Sequence, residues 1–122
     1  MAATIERSEA ALIPHHVDWE KMEWRTIRQG IERKAFTGDG ATVALHRISP
    51  GHTLAPHKHP HEQIVYILEG VVDFHIGDAV LRLGPGGLAV VPPDTMHHAV
   101  LVGDKPALNL DIFSPARPDY VA

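Results

Sequence analysis

The chemistry-bearing residues of this chain gather in two strings. The first runs Gly51-His-Thr-Leu-Ala-Pro-His57-Lys-His59-Pro-His-Glu-Gln63. Side chains alternate along an extended chain, so His57, His59 and Gln63 would project to one side. Neutral imidazole nitrogens and an amide oxygen meeting at one point are ligands for a divalent transition metal. His97 lies beyond the Gly- and Pro-rich stretch 84–93 and can close the set. Taken alone, His57 and His59 fit surface histidines in a polar loop equally well. The second segment, with Pro92 between Gly86 and His97, tips the reading toward a metal site.

The second string is Asn109-Leu-Asp111-Ile-Phe113-Ser-Pro-Ala-Arg117. On a strand, Asn109, Asp111 and Phe113 share one face and Leu108, Leu110 and Ile112 the other. The apolar set reads as packing. The Asp111 face meets either solvent or a polar cavity, and Phe113 on the same face favours the cavity. Arg117, past Pro115, could fold over a cavity mouth or remain a solvated tail residue.

Composition narrows the class of protein. A chain of 122 residues with 44% hydrophobic and 21% charged residues has the make-up of one globular domain. A formal charge of -4 without a basic stripe argues against a nucleic-acid partner. With no cysteine there is no disulfide, thiolate ligand or cysteine nucleophile. Residues 1–14 carry no signal-peptide core, and no apolar run reaches membrane-spanning length, so a cytoplasmic protein without membrane association is expected.

These residues must be positioned by short strands. Runs bounded by glycine and proline predict strands over 30–36, 42–48, 63–68, 71–76, 79–83, 88–91, 97–102 and 107–113. Gly77-Asp78 marks a hairpin, and residues 18–27 could hold a single helical turn. Closely spaced strands of this kind predict an all-β antiparallel barrel or jelly roll, with residues 1–23 as an N-terminal arm and 24–122 as the barrel domain. His46 and His75 lie on strands where either could line the cavity, and both read as structural histidines. His15, His16 and His52 read as surface residues, His61 as a loop residue and His98 as outward-facing. Glu62, of opposite parity to Gln63, reads as a second-layer or surface carboxylate.

With both segments in view, the chain resembles the cupin superfamily over roughly residues 40–113. Gly51, His57, His59, Gln63 and Gly70 fall in register with the first cupin motif, and Gly86, Pro92 and His97 with the second. Gln63 stands where a glutamate is usual, and Asp94 where a glycine is usual. A neutral amide leaves more of a cation's charge available to an anionic ligand. The ending Asp111-x-Phe113-x-x-x-Arg117 is similar to that of the small cupins of pectin and alginate breakdown, which convert 4,5-unsaturated monouronates into linear keto sugars. That resemblance implies a metal (zinc, nickel, manganese or iron) held by His57, His59, Gln63 and His97, and acting roles for Asp111, Phe113 and Arg117. It also implies a carboxylate-bearing small-molecule substrate and a homodimer, with residues 25–36 pairing against another subunit's sheet edge. Two other readings stay open. One is an oxygen-using cupin with a redox-active metal; the other is a non-catalytic metal-bearing binder of a small acid.

Overall fold

The computed structural model describes residues 15–122. Within them the order is a 3-10 turn (Trp19–Lys21), β1 (Arg25–Arg28), β2 (Ile31–Thr37), β3 (Thr42–Ile48), β4 (Glu62–Glu69), β5 (Val71–Ile76), β6 (Ala79–Leu83), β7 (Leu88–Val91), β8 (His97–Val102), β9 (Ala107–Ser114) and a 3-10 turn (Pro118–Val121). The strands form a six-stranded sheet, β1-β2-β3-β9-β4-β7, and a three-stranded sheet, β6-β5-β8. Every strand pairing is antiparallel. The architecture is the expected jelly roll, but the ladders do not close into a continuous barrel. Among the described residues no helix is long and apolar enough to cross a membrane.

Alternation sets which side of each strand is inside. On β4, Gln63, Val65 and Ile67 are buried, whereas Glu62 and Leu68 are exposed. On β9, Ala107, Asn109, Asp111 and Phe113 are buried while Leu108, Leu110 and Ile112 are only half-buried. The apolar triplet therefore lies on the outer face, and the polar triplet lies inside. This reverses the packing role that hydrophobicity suggested for the leucines.

The inner face changes character along its length. Val65, Ile67, Val72, Phe74, Val91 and Ala107 form an apolar core with Ile31, Ile48 and Ile76. Fully burying one side chain such as Val65 contributes roughly 1.5–3 kcal/mol. Further along the same strands, Gln63, Asp111, Phe113 and His97 replace the aliphatic residues. One end of the fold is thus packed, and the other is open to polar chemistry.

The N-terminal portion departs from expectation in two respects. Gly30, read as the start of a strand, is the turn between β1 and β2. Its φ is +74°, and a Cβ there would lie 2.6 Å from His52 Cα. The chain must therefore be glycine at that close approach. The turn expected within 18–27 is the 3-10 turn at Trp19–Lys21, capped by the Asp18 carboxylate accepting from the Glu20 amide, and β1 follows it. Of the arm expected over 1–23, residues 1–14 lie outside the described residues.

Candidate metal centre and adjoining cavity

His57 and His59 do not sit on a regular strand. Pro56 and Pro60 flank them, and neither has an N–H to continue a ladder. Instead His57 makes an isolated bridge to His97, with the His57 amide donating to the His97 carbonyl at 3.1 Å and the reverse bond at 2.8 Å. The bridge brings the two motifs together. Asp94 adds a brace: it sits at φ +57°, and its amide donates to the His59 carbonyl at 2.8 Å. Asp is among the few non-glycine residues that tolerate this conformation, which accounts for its presence at a glycine position.

The nitrogens of His57, His59 and His97 approach one another within 4.8 Å. Each ring uses Nδ1 to donate to a backbone carbonyl: His57 to Ala55 at 2.7 Å, His59 to His61 at 3.0 Å and His97 to Thr95 at 2.8 Å. In a neutral imidazole this leaves Nε2 as a lone-pair donor on all three rings. His97 Nε2 is buried without a hydrogen-bond partner. Burial above all, together with the neighbouring His57 and His59, pushes His97 down from 6.5 to about 4, against the opposing bond to Thr95. The ring is therefore neutral near pH 7.

Gln63 joins the group. Its amide nitrogen donates to Asp111 Oδ1 at 2.9 Å, so its oxygen is the free end, 3.1 Å from His59 Nε2. Two acceptors at hydrogen-bond distance with no proton between them form a pair that a cation satisfies. An orphaned buried nitrogen, three tautomers fixed the same way and a facing amide oxygen together fit a divalent metal.

The cluster borders a cavity of about 330 Å³. His57, Gln63, His97, Asp111, Phe113 and Arg117 all line it. Asp111, only 2% exposed, accepts from Gln63 through Oδ1, and through Oδ2 from Asn109 at 2.8 Å and His46 at 2.5 Å. Phe113 is edge-on to His59, with centroids 5.6 Å apart. Arg117 is positioned by its amide, which donates to Thr42 Oγ1 at 2.7 Å. Its guanidinium donates to the Tyr120 hydroxyl at 3.0 Å and to Asp119 at 3.1 Å, while Nε is buried without a partner. Arg117 is thus part of the wall rather than a solvated tail.

Several residues of this site carried no functional reading in the sequence. His46, taken as structural, is bonded to Asp111 and borders the cavity. Arg33 donates from Nε to His46 Nε2 at 3.1 Å. The Tyr120 ring meets two guanidinium groups, its centroid 3.5 Å from Arg33 Cζ and 4.0 Å from Arg117 Cζ. Burial raises its hydroxyl above the usual phenolic range. Inward parity on β2 and β3 was the available signal for Arg33 and His46. His98, expected to face outward, also borders the cavity and stacks on His75 at 4.4 Å across β5 and β8, while His52 Nε2 accepts from the Leu101 amide at 3.1 Å. Glu62 is exposed, as its parity implied.

Known proteins resemble this chain in sequence and in fold. KdgF from a Halomonas species aligns with a TM-score of 0.78 and 30% identity, over 84% of this chain and 96% of that one. The polyketide synthase protein CurC of Streptomyces cyaneus is 30% identical over 111 residues, 86% of this chain and 72% of CurC. A gentisate 1,2-dioxygenase from a Haloferax species is 32% identical over 72 residues. That match covers 52% of this chain, which spans only 20% of the dioxygenase. The cupin domain pattern matches residues 44–113, a stretch that holds His57, His59, Gln63 and His97. With both motifs inside the matched region and two facing antiparallel sheets around them, the chain belongs to the cupin family.

Proposed function

We propose that the protein is a metal-dependent enzyme that converts a 4,5-unsaturated monouronate into its linear keto form. The observation that supports this reading most is shared lining: His57 and His97 of the histidine cluster, Asp111, Phe113 and Arg117 border one cavity. The motif resemblance at Asp111, Phe113 and Arg117 and the 30% identity to KdgF over most of the chain support it further.

The reaction is an isomerisation. The bond between the anomeric carbon and the ring oxygen breaks, and the anomeric hydroxyl loses its proton as the aldehyde forms. The released enol becomes a ketone when carbon 4 gains a proton. Atoms and electrons balance without oxygen or another redox partner. His57, His59, Gln63 and His97 would hold the metal, which as a Lewis acid stabilises negative charge on a substrate oxygen.

Arg117 supplies the carboxylate clamp, with its unpartnered Nε–H and a guanidinium edge now held by exposed Asp119. Only Asp119 of that pair is exposed to solvent, so it can swing away into water while the substrate carboxylate takes its place on Arg117. Asp111 Oδ1 accepts one hydrogen bond, so a lone pair remains to carry the proton between the hydroxyl and carbon 4. Asn109 Oδ1, buried without a partner, accepts from a sugar hydroxyl. Phe113 and Tyr120, edge to face at 5.1 Å, exclude water from the same wall.

The test is incubation with a 4,5-unsaturated monouronate under nitrogen, following loss of the ultraviolet absorbance of the conjugated alkene. Loss of absorbance with an isomeric product supports the reading. Turnover only in oxygen would favour the oxygen-using alternative, toward which the partial likeness to gentisate 1,2-dioxygenase points. Tight binding of the uronate without product would favour a non-catalytic binder. A homodimer belongs to the same proposal: among the described residues β1 is a sheet edge, and the outer face of β9 carries half-exposed Leu108, Leu110 and Ile112. A monomer mass by light scattering would remove it.

A further inference from the structure

Four groups join the rim of the cavity to the histidine cluster, and the polarity of each link is forced. Arg33 can only donate, and its Nε–H points at His46 Nε2 at 3.1 Å. His46 Nε2 is therefore the acceptor, and its proton sits on Nδ1. Nδ1–H then donates to Asp111 Oδ2 at 2.5 Å, beside the bond from the Asn109 amide at 2.8 Å. An ionised carboxylate can only accept, so Oδ1 takes a hydrogen from Gln63 at 2.9 Å. The Gln63 oxygen is left facing His59 Nε2.

The strand register builds this chain. Arg33 lies opposite His46 across β2 and β3, and His46 opposite Asn109 across β3 and β9. Asp111 is two residues along β9, opposite Val65 of β4, and Gln63 is the next residue on the same face of β4. Gln63, Asn109 and Asp111 are 6%, 3% and 2% exposed, so bulk water competes little for the hydrogen bonds among them.

We propose that Arg33 and His46 are positioning residues: through Asp111 they fix the Gln63 amide with its oxygen, not its nitrogen, toward the metal point. A glutamine presents either end of its amide to a metal, and only the oxygen end binds a cation. A glutamate at this position would need no such device, so the chain Arg33–His46–Asp111 is the counterpart of having glutamine there. The inference rests on reading Gln63 as a ligand, but not on the uronate reaction.

Two readouts test it on the full-length protein. In the metal-free protein, nitrogen-15 NMR of the Gln63 side-chain amide should show one strongly downfield, slowly exchanging proton. Asp111→Asn should abolish that signal. His46 and Asn109 still donate to the residue-111 oxygen, so the new amide nitrogen faces Gln63 and turns it over. An unchanged Gln63 resonance in Asp111→Asn would overturn the proposal whether or not metal binds.

The second readout is cobalt(II) affinity with the visible spectrum of the bound ion. His46→Leu removes the Nδ1–H donor to Asp111 and should weaken binding about 10–100-fold with a changed spectrum. His46→Asn, whose amide can replace the Nδ1–H donor, should recover most of that loss. Equal affinity in wild type and His46→Leu, or a loss that His46→Asn does not repair, would overturn the role of His46. Failure of the wild type to bind cobalt would instead remove the metal-site reading, and the NMR arm alone would then decide the orientation claim.

Discussion

His59 Nε2 and Gln63 Oε1 lie 3.1 Å apart, both with lone pairs forward. His59 Nδ1 is committed to the His61 carbonyl, and the Gln63 amide nitrogen to Asp111. Neither side can supply a proton to the other while His59 is neutral. A cation resolves the contact, and the bridge between His57 and His97 brings the remaining nitrogens to the same place.

Removing one of those nitrogens should remove the metal. His97→Ala and His57→Ala are expected to lower bound metal to near zero by elemental analysis, with the fold kept by circular dichroism. Full metal content in His97→Ala would contradict the ligand assignment.

Arg117→Ala should keep its metal and lose its grip on acids. A charge-assisted hydrogen bond contributes about 1.5–3 kcal/mol, so KM for the unsaturated uronate should rise roughly tenfold or more. Binding of the corresponding uncharged carboxamide should change little. Equal weakening toward acid and amide would mean that Arg117 shapes the wall without clamping the carboxylate.

The apoprotein should lose stability in mild acid. His97 is pushed down to about 4 in the fold, against an ordinary histidine value of 6.5. Between those values the unfolded chain binds the extra proton, so stability is complete above about pH 6.5 and falls as pH drops toward 4. The loss attributable to His97 is roughly 3 kcal/mol. Urea denaturation of chelated protein at pH 7 and pH 4.5 measures it, and His97→Gln should flatten the difference. An equally steep fall in that variant would assign the effect elsewhere.

Gly30→Ala tests the backbone at the β1–β2 turn. The new methyl group meets His52 Cα and must also adopt a φ of +74°. A destabilisation of about 1 kcal/mol or more is expected by thermal or chemical denaturation. A neutral result would show that this turn shifts freely.

Much of this arrangement is legible in the residues. Period-two alternation locates β5 and β9 at or near their ends, and it separates Gln63 from Glu62. That Asn109, Asp111 and Phe113 share one face follows from the same rule. Alternation alone does not say which face is inside, so Leu110 and Ile112 look like core until the facing sheet is seen. Arg33 and Tyr120, and the bond of His46 to Asp111, were missed for another reason. Their place in the site comes from cross-strand register and from the turn at Pro118–Val121, which bring together residues far apart in sequence. The resemblance to cupins supplied the pairing of His57 with His97, which spacing could only suggest.

The most direct measurement combines metal and turnover in one series. Protein as purified, after chelation and after reloading with a single divalent metal is assayed with a 4,5-unsaturated monouronate under nitrogen. The account predicts turnover that disappears with the metal, returns on reloading and never returns in His97→Ala. Undiminished turnover in fully metal-free protein, or none at all in fully loaded protein, would contradict it.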